Sequence, residues 1–193
     1  MKTVEFNEML RSNRIYLFRL ADASRIIGKS KQYASLFLSR DKEIRRAIKG
    51  LYYTKDATEY EVASAILNPS YVSLVSALRF YNLTEQIPNI IYVVSYKRHR
   101  PVLDLNGYRV EFVTVKKSVF YGYEKSDRAT VATPEKAVMD MLYLNRFTEY
   151  AYEAIEKRKI DRKKLLDYAM MTNDEGFVQK IKAELSELGG VRK

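Results

Sequence analysis

The sequence predicts an α+β fold in two parts, and three observations predict it. Residues 1–55 read as short helical segments punctuated by glycine and carry most of the net charge. Three β-prone runs cluster between residues 90 and 123. Helical periodicity returns after Thr133-Pro134 and continues into the C-terminal region.

Composition narrows the class. A chain of 193 residues suits one large domain or two small ones, and 47% apolar content is enough for an ordinary core. Charged residues of both signs are interspersed, which excludes a disordered polyelectrolyte. With no cysteine there is no disulfide framework and no thiolate metal site. Residues 1–14 mix acids and bases and lack the apolar stretch of a signal peptide. No apolar run approaches the ~20 residues of a membrane helix. The expectation is a cytoplasmic protein with no membrane partner.

The charge is concentrated. Residues 1–55 hold 13 Lys+Arg against 5 Asp+Glu, a net of +8 out of +10 for the chain. Such a block attracts phosphate and makes binding salt-dependent. Within it, Phe6, Met9 and Leu10 recur at helical spacing and predict a first helix over Glu5–Asn13. A second helix ends at Ile27, where Gly28 supplies a left-handed stop. Ser30 caps a third helix running to Arg40. Two short helices around a glycine turn make a helix-turn-helix. In the third helix Ala34, Phe37 and Leu38 fall on the inner side. Lys29, Ser30, Lys31, Gln32, Tyr33, Ser35, Ser39 and Arg40 are the candidate DNA-binding residues, by residue type and outward position. Leu36 also falls outward, either packed on a flank or against a thymine methyl.

Asp41–Arg46 reads as a polar turn or helix end. Two β-prone runs then flank Gly50, which predicts a hairpin with Lys49 and Lys55 as phosphate contacts. A recognition helix followed at once by a basic hairpin is a winged helix-turn-helix, assigned to residues 1–55.

Residues 56–193 are expected to form a second, α+β domain with a small antiparallel sheet and several helices. Tyr60, Val62, Ala63, Ile66 and Leu67 predict a helix ended by Asn68-Pro69. Tyr71, Leu74, Val75 and Leu78 have i, i+3, i+4, i+7 spacing and predict a helix capped by Ser70, closed off by Pro88. The β-prone runs are Ile90–Tyr96, Tyr108–Val115 and Val119–Tyr123, with Asn106-Gly107 as a turn signal before the second. Pro134 opens a long helix. Further helices span Thr148–Lys157, a segment capped by Asp161, and Glu175–Leu188.

Enzyme readings find little support. His99 is the single histidine, in a basic loop, Lys97-Arg98-His99-Arg100. There is no glycine-rich phosphate loop and no nucleophile elbow. Asp104 and Glu111 evoke a metal-dependent nuclease, but the acidic–x–lysine pattern is missing. No catalytic residue, metal or cofactor is expected.

A series of motifs runs through the chain in order: Gly50-Leu51-Tyr52-Tyr53, Glu59-Tyr60-Glu61-Val62-Ala63-Ser64, Asn68-Pro69-Ser70-Tyr71-Val72-Ser73-Leu74, Ser76-Ala77-Leu78, Tyr81-Asn82-Leu83-Thr84-Glu85-Gln86-Ile87-Pro88, and Ala132-Thr133-Pro134-Glu135-Lys136-Ala137-Val138-Met139-Asp140. The series resembles the AbiEi family of type IV toxin–antitoxin antitoxins over about residues 15–145. The resemblance implies an autoregulator that binds double-stranded DNA repeats in its own promoter. It also implies an antitoxin that counters a nucleotidyltransferase toxin, without need of direct binding. The alternatives are a stand-alone winged-helix transcription factor, or an RNA- or protein-interaction module with no toxin partner. The Ser-Tyr-Val-Ser-Leu and Pro-Glu-Lys-Ala runs are expected to be structural.

Overall fold

The computed structural model describes residues 1–85, 89–105, 107–126, 128–157 and 159–190. It is a mixed α/β structure with two sheets. The chain divides into two compact units, Met1–Ile66 and Leu67–Lys193, so the boundary falls after Ile66 rather than after Lys55.

The first unit runs α1 (Thr3–Ser12), β1 (Leu17–Arg19), α2 (Leu20–Ile27), α3 (Lys31–Ser39), β2 (Ile44–Ile48), β3 (Leu51–Thr54) and α4 (Glu59–Ile66). Its three-stranded antiparallel sheet has the order β1-β3-β2. Phe6 and Leu10 of α1, Phe18 of β1, Ala23 of α2, Leu38 of α3, Ile44 of β2 and Tyr52 of β3 share one buried cluster. Phe6 sits at its centre, edge-on to Phe18 at 5.9 Å and to Phe37 at 5.5 Å. Every element except α4 thus contributes to the cluster, and burying these side chains drives the assembly.

Two expectations for this unit change. Strand β1 was not expected, because three residues are too few to show alternation; it forms by pairing Leu17–Arg19 with Leu51–Tyr53. Asp41–Arg46 is not wholly a turn, because Ile44-Arg45-Arg46 pairs with Thr54-Tyr53-Tyr52. A register shift between Arg46 and Ile48 leaves Arg45 and Arg46 both exposed, which hides the period-2 pattern.

The second unit runs β4 (Tyr71–Val72), α5 (Leu74–Phe80), β5 (Ile90–Ser95), β6 (Val102–Leu105), β7 (Tyr108–Thr114), a short 3-10 turn (Lys117–Val119), β8 (Tyr123–Ser126), β9 (Ala129–Ala132), α6 (Pro134–Leu144), α7 (Thr148–Glu156), α8 (Arg162–Met170) and α9 (Glu175–Gly190). The six-stranded sheet has the order β6-β7-β5-β4-β9-β8. It is mixed, not antiparallel: β5 and β7 run parallel, as do β4 and β9. The expected helix from Ser70 begins at Leu74, because Tyr71 and Val72 pair with Val94 and Val93. The expected third strand over Val119–Tyr123 is mostly turn, and β8 starts only at Tyr123. Strands β6 and β9 were not expected. The Asn106-Gly107 signal lies partly outside the described residues; Gly107 takes φ 95° beside the paired Leu105 and Tyr108. Pro88 lies outside them altogether.

Helix α6 is the buried spine of this unit. Thr133 accepts the Lys136 N–H at 3.3 Å, Pro134 occupies the first turn, and Asn145 closes the helix in the left-handed conformation. Lys136 and Asp140 lie one turn apart inside it, both buried, with Nζ 2.5 Å from Oδ1. The Lys136 ammonium also donates to the Val119 carbonyl at 2.8 Å and lies 4.5 Å from the centre of the Tyr121 ring. Asp140 Oδ2 accepts from Tyr71 Oη at 3.1 Å and Ser73 Oγ at 2.7 Å. Burial pushes the Asp140 carboxyl above its usual range and the Lys136 ammonium below its own, and their mutual attraction opposes both. The Ser-Tyr-Val-Ser-Leu and Pro-Glu-Lys-Ala segments therefore meet at one buried carboxylate. Gly122 makes room for this node: at φ 73° its missing Cβ would stand 3.0 Å from Lys136 Cγ and from Tyr168 Cζ.

Candidate nucleic-acid interface

The α2–α3 turn fixes the third helix. Gly28 is left-handed at φ 69°, ψ 31° and closes α2, with its N–H on the Ser24 and Arg25 carbonyls. Ser24 Oγ donates to the Lys29 carbonyl at 2.6 Å, which tightens the turn. Ser30 Oγ then accepts the Tyr33 N–H at 3.2 Å and starts α3.

Packing decides which side of α3 faces out. Ala34 and Leu38 are buried, and Phe37 packs on Phe6. Lys31, Gln32, Tyr33, Leu36 and Ser39 are exposed, while Ser35 is half-buried. Lys31, Gln32, Ser35 and Leu36 line one open depression together with Leu20 from the start of α2. The Leu20 N–H donates to the Gly50 carbonyl at 3.0 Å. The β2–β3 hairpin tip, Lys49-Gly50, is thereby tied to the start of α2, whose Leu20 lines that depression. Leu36 is 52% exposed and Tyr33 48%, with the Tyr33 ring stacked along Phe37.

Not every expected residue joins this face. Lys55 lies at the base of the hairpin, on the order of 15 Å of strand away from the Lys49 tip. Its Nζ is 3.2 Å from Glu43 Oε1, and Glu43 also bonds Arg11, which lies 3.8 Å from Asp56. The hydrogen bond from Lys55 holds the Glu43 carboxyl below its usual range, against slight burial and with help from Arg11. Lys55 does not flank the tip because the extended strand β3, Leu51–Thr54, separates it from Gly50. Ser39 and Arg40 sit at the far end of α3, and Ser39 Oγ donates back to the Leu36 carbonyl at 2.8 Å. Lys29 and Ser30 occupy the turn before the helix, exposed.

The electrostatics are one-sided. No Asp or Glu occurs from Ala23 to Arg40. Asp22 is held below its usual range by the Arg19 N–H, against slight burial, and pairs with Arg25. Among the described residues Lys29, Lys31, Arg40, Arg45, Arg46 and Lys49 make no ion pair, so their charge is available to a ligand. The α3 N-terminus adds a partial positive charge to Lys29 and Lys31. Arg45 and Arg46 were missed in the sequence because they were read as turn; Leu20 was missed because its α2 position looked purely internal.

The two acids that evoked a nuclease in the second unit are engaged separately. Asp104 pairs with Arg109 and Glu111 with Arg146, each at 2.8 Å. His99 packs on Phe112. Among the described residues no group of His, Cys, Asp and Glu could hold a metal ion, and no helix is long and apolar enough to cross a membrane. No protein-family model and no curated protein matches the chain.

Proposed function

We infer that the first unit is a winged helix that binds double-stranded DNA, with α3 in the major groove and the β2–β3 tip on the flanking backbone. The observation that carries this reading is the acid-free depression lined by Lys31, Gln32, Ser35 and Leu36 of α3 and by Leu20, whose N–H holds the Gly50 carbonyl of the hairpin tip. The element order helix–strand–helix–helix–hairpin, with β1 closing a three-stranded sheet, supports it. Gln32 is the residue type that bonds an adenine edge, and the cations supply phosphate contacts.

In this reading the chain represses its own operon by occupying repeats in its promoter. It also acts as the antitoxin against a nucleotidyltransferase toxin. The antitoxin role is supported by the AbiEi-like motif series alone. A reporter fused to the chain's own upstream DNA tests the first role: co-expression should lower its output, and the Lys31→Ala/Gln32→Ala variant should restore it. Co-expression with an adjacent nucleotidyltransferase tests the second. Unrelieved growth arrest would leave a repressor without antitoxin activity.

A further inference from the structure

A second basic surface lies in the second unit, and nothing in the DNA-binding reading uses it. Strands β5 and β7 are parallel neighbours, with Ser95 level with Thr114. Their C-terminal ends therefore open at the same edge of the sheet. The segment after β5, Tyr96-Lys97-Arg98-His99-Arg100-Pro101, arches over the end of β7 to reach β6, because the strand order is β6-β7-β5. The segment after β7 presents Lys116 and Lys117 at that same edge. The Val115 N–H on the Ser95 carbonyl, 2.9 Å, joins the two exits.

Five cations thus gather there: Lys97, Arg98, Arg100, Lys116 and Lys117, all exposed. The segments 93–103 and 112–123 contain no Asp or Glu, nor does 62–84, which brings Asn68 beside them. Among the described residues none of the five makes an ion pair. Elsewhere in this unit several cations are matched, Arg109 with Asp104, Arg146 with Glu111, Lys157 with Glu153 and Lys164 with Glu135, while the exposed Lys125, Lys163 and Lys182 stand singly on separate segments. Five like charges without counter-charge repel one another, so holding them together costs stability that a bound anion returns.

The cluster is also organised. Lys97 is anchored by its ammonium on the Asn68 carbonyl at 2.8 Å and by its N–H on Ser95 Oγ at 3.0 Å. Lys117 lies 5.9 Å over the half-buried Tyr96 ring, which is itself braced edge-on by Phe120 at 4.9 Å. Cations crossing roughly 10 Å of three neighbouring strands, around a braced aromatic ring, match a chain of phosphates with a base to stack.

We propose that this edge of the six-stranded sheet binds single-stranded nucleic acid. Lys97, Arg98, Arg100, Lys116 and Lys117 hold its phosphates, and Tyr96 takes a base. The site is independent of α3, so either reading stands if the other fails.

The test uses the full chain carrying Lys31→Ala and Gln32→Ala, which silences the α3 face. Fluorescently labelled oligo(U) and oligo(dT) of equal length are titrated, with duplex DNA and heparin as competitors. Five phosphate contacts predict affinity falling roughly a hundredfold from about 50 to about 200 mM salt. Removing two contacts in Arg98→Ala/Arg100→Ala should reduce that fall to roughly twentyfold. Tyr96→Leu should weaken binding about tenfold or more with the salt slope unchanged. Stronger binding of oligo(U) than oligo(dT) would identify RNA as the ligand; the reverse, single-stranded DNA. Three results would overturn the proposal: no binding of either oligomer at low salt, binding indifferent to the Arg98/Arg100 and Tyr96 changes, or equal competition by duplex or heparin.

Discussion

Leu36 is a large aliphatic side chain left half in water, one helical turn beyond Gln32 on the same face of α3. Isolated exposed leucines are common; this one borders the residues with base-reading chemistry. Opposite a thymine it would cover the C5-methyl group, a contact of about 0.8 kcal/mol. Replacing thymine by uracil at the contacted operator position should therefore weaken wild-type binding about fourfold and leave Leu36→Ala unchanged. Equal effects on both proteins would remove Leu36 from the interface. In the second unit, Lys136→Met would strand the buried Asp140 carboxylate and cost about 3–5 kcal/mol in urea unfolding. Lys136→Met/Asp140→Asn should recover more than half of that loss, since Asn still accepts from Tyr71 and Ser73. A double variant no better than the single would show that the cost comes from packing.

Glu135 gives the residue scale a pH signature. Burial pushes its carboxyl up, but Lys164, 3.0 Å away, and the Asp161 N–H outweigh it, and the net direction is down. A folded value below the unfolded 4.5 means the stabilisation is complete above that pH and fades as pH falls through the folded value. The urea midpoint of Glu135→Gln should fall less than the wild type's between about pH 6 and about pH 3. Parallel falls would place the acid sensitivity in other carboxylates.

At the scale of elements, the hairpin separates two lysines that look equivalent in the sequence. Lys49 stands at the tip beside Leu20; Lys55 stands at the base on Glu43. Lys49→Ala should lower the salt slope of duplex binding by about one, and Lys55→Ala should leave it unchanged. Equal slopes for the two variants would contradict the docking of the tip. The α2–Gly28–α3 pair was legible because its signals are local: a left-handed glycine, a serine cap and helical spacing over Ala34, Phe37 and Leu38. The α6 start at Thr133-Pro134 and the Asp161 cap were legible for the same reason. Strand β1 and the Tyr71-Val72 strand were not, since each is held by partners far along the chain. Tyr71 and Leu74 have helical spacing, yet Tyr71 belongs to a strand and Leu74 opens the next helix. Likewise Tyr71 and Ser73 meet Asp140 across 69 and 67 positions of the chain, a separation that no local pattern reveals.

At the scale of the whole molecule, the net charge of +10 is shared equally by the two units, +5 in Met1–Ile66 and +5 in Leu67–Lys193. In the first unit the positive excess lies in residues 1–55, where Asp22 is engaged by Arg25 and Glu43 by Arg11 and Lys55. Counted over residues 56–193 the sum is only +2, which concealed the basic edge: the acids that balance it lie on other segments. The central claim is that α3 reads sequence in duplex DNA. The most direct measurement is the affinity of the protein for duplex DNA from immediately upstream of its own gene, against a shuffled duplex of equal length, at moderate salt. The account predicts a preference on the order of a thousandfold or more, reduced roughly 5- to 150-fold by Gln32→Ala. Equal affinity for the two duplexes, or a preference indifferent to Gln32→Ala, would contradict it.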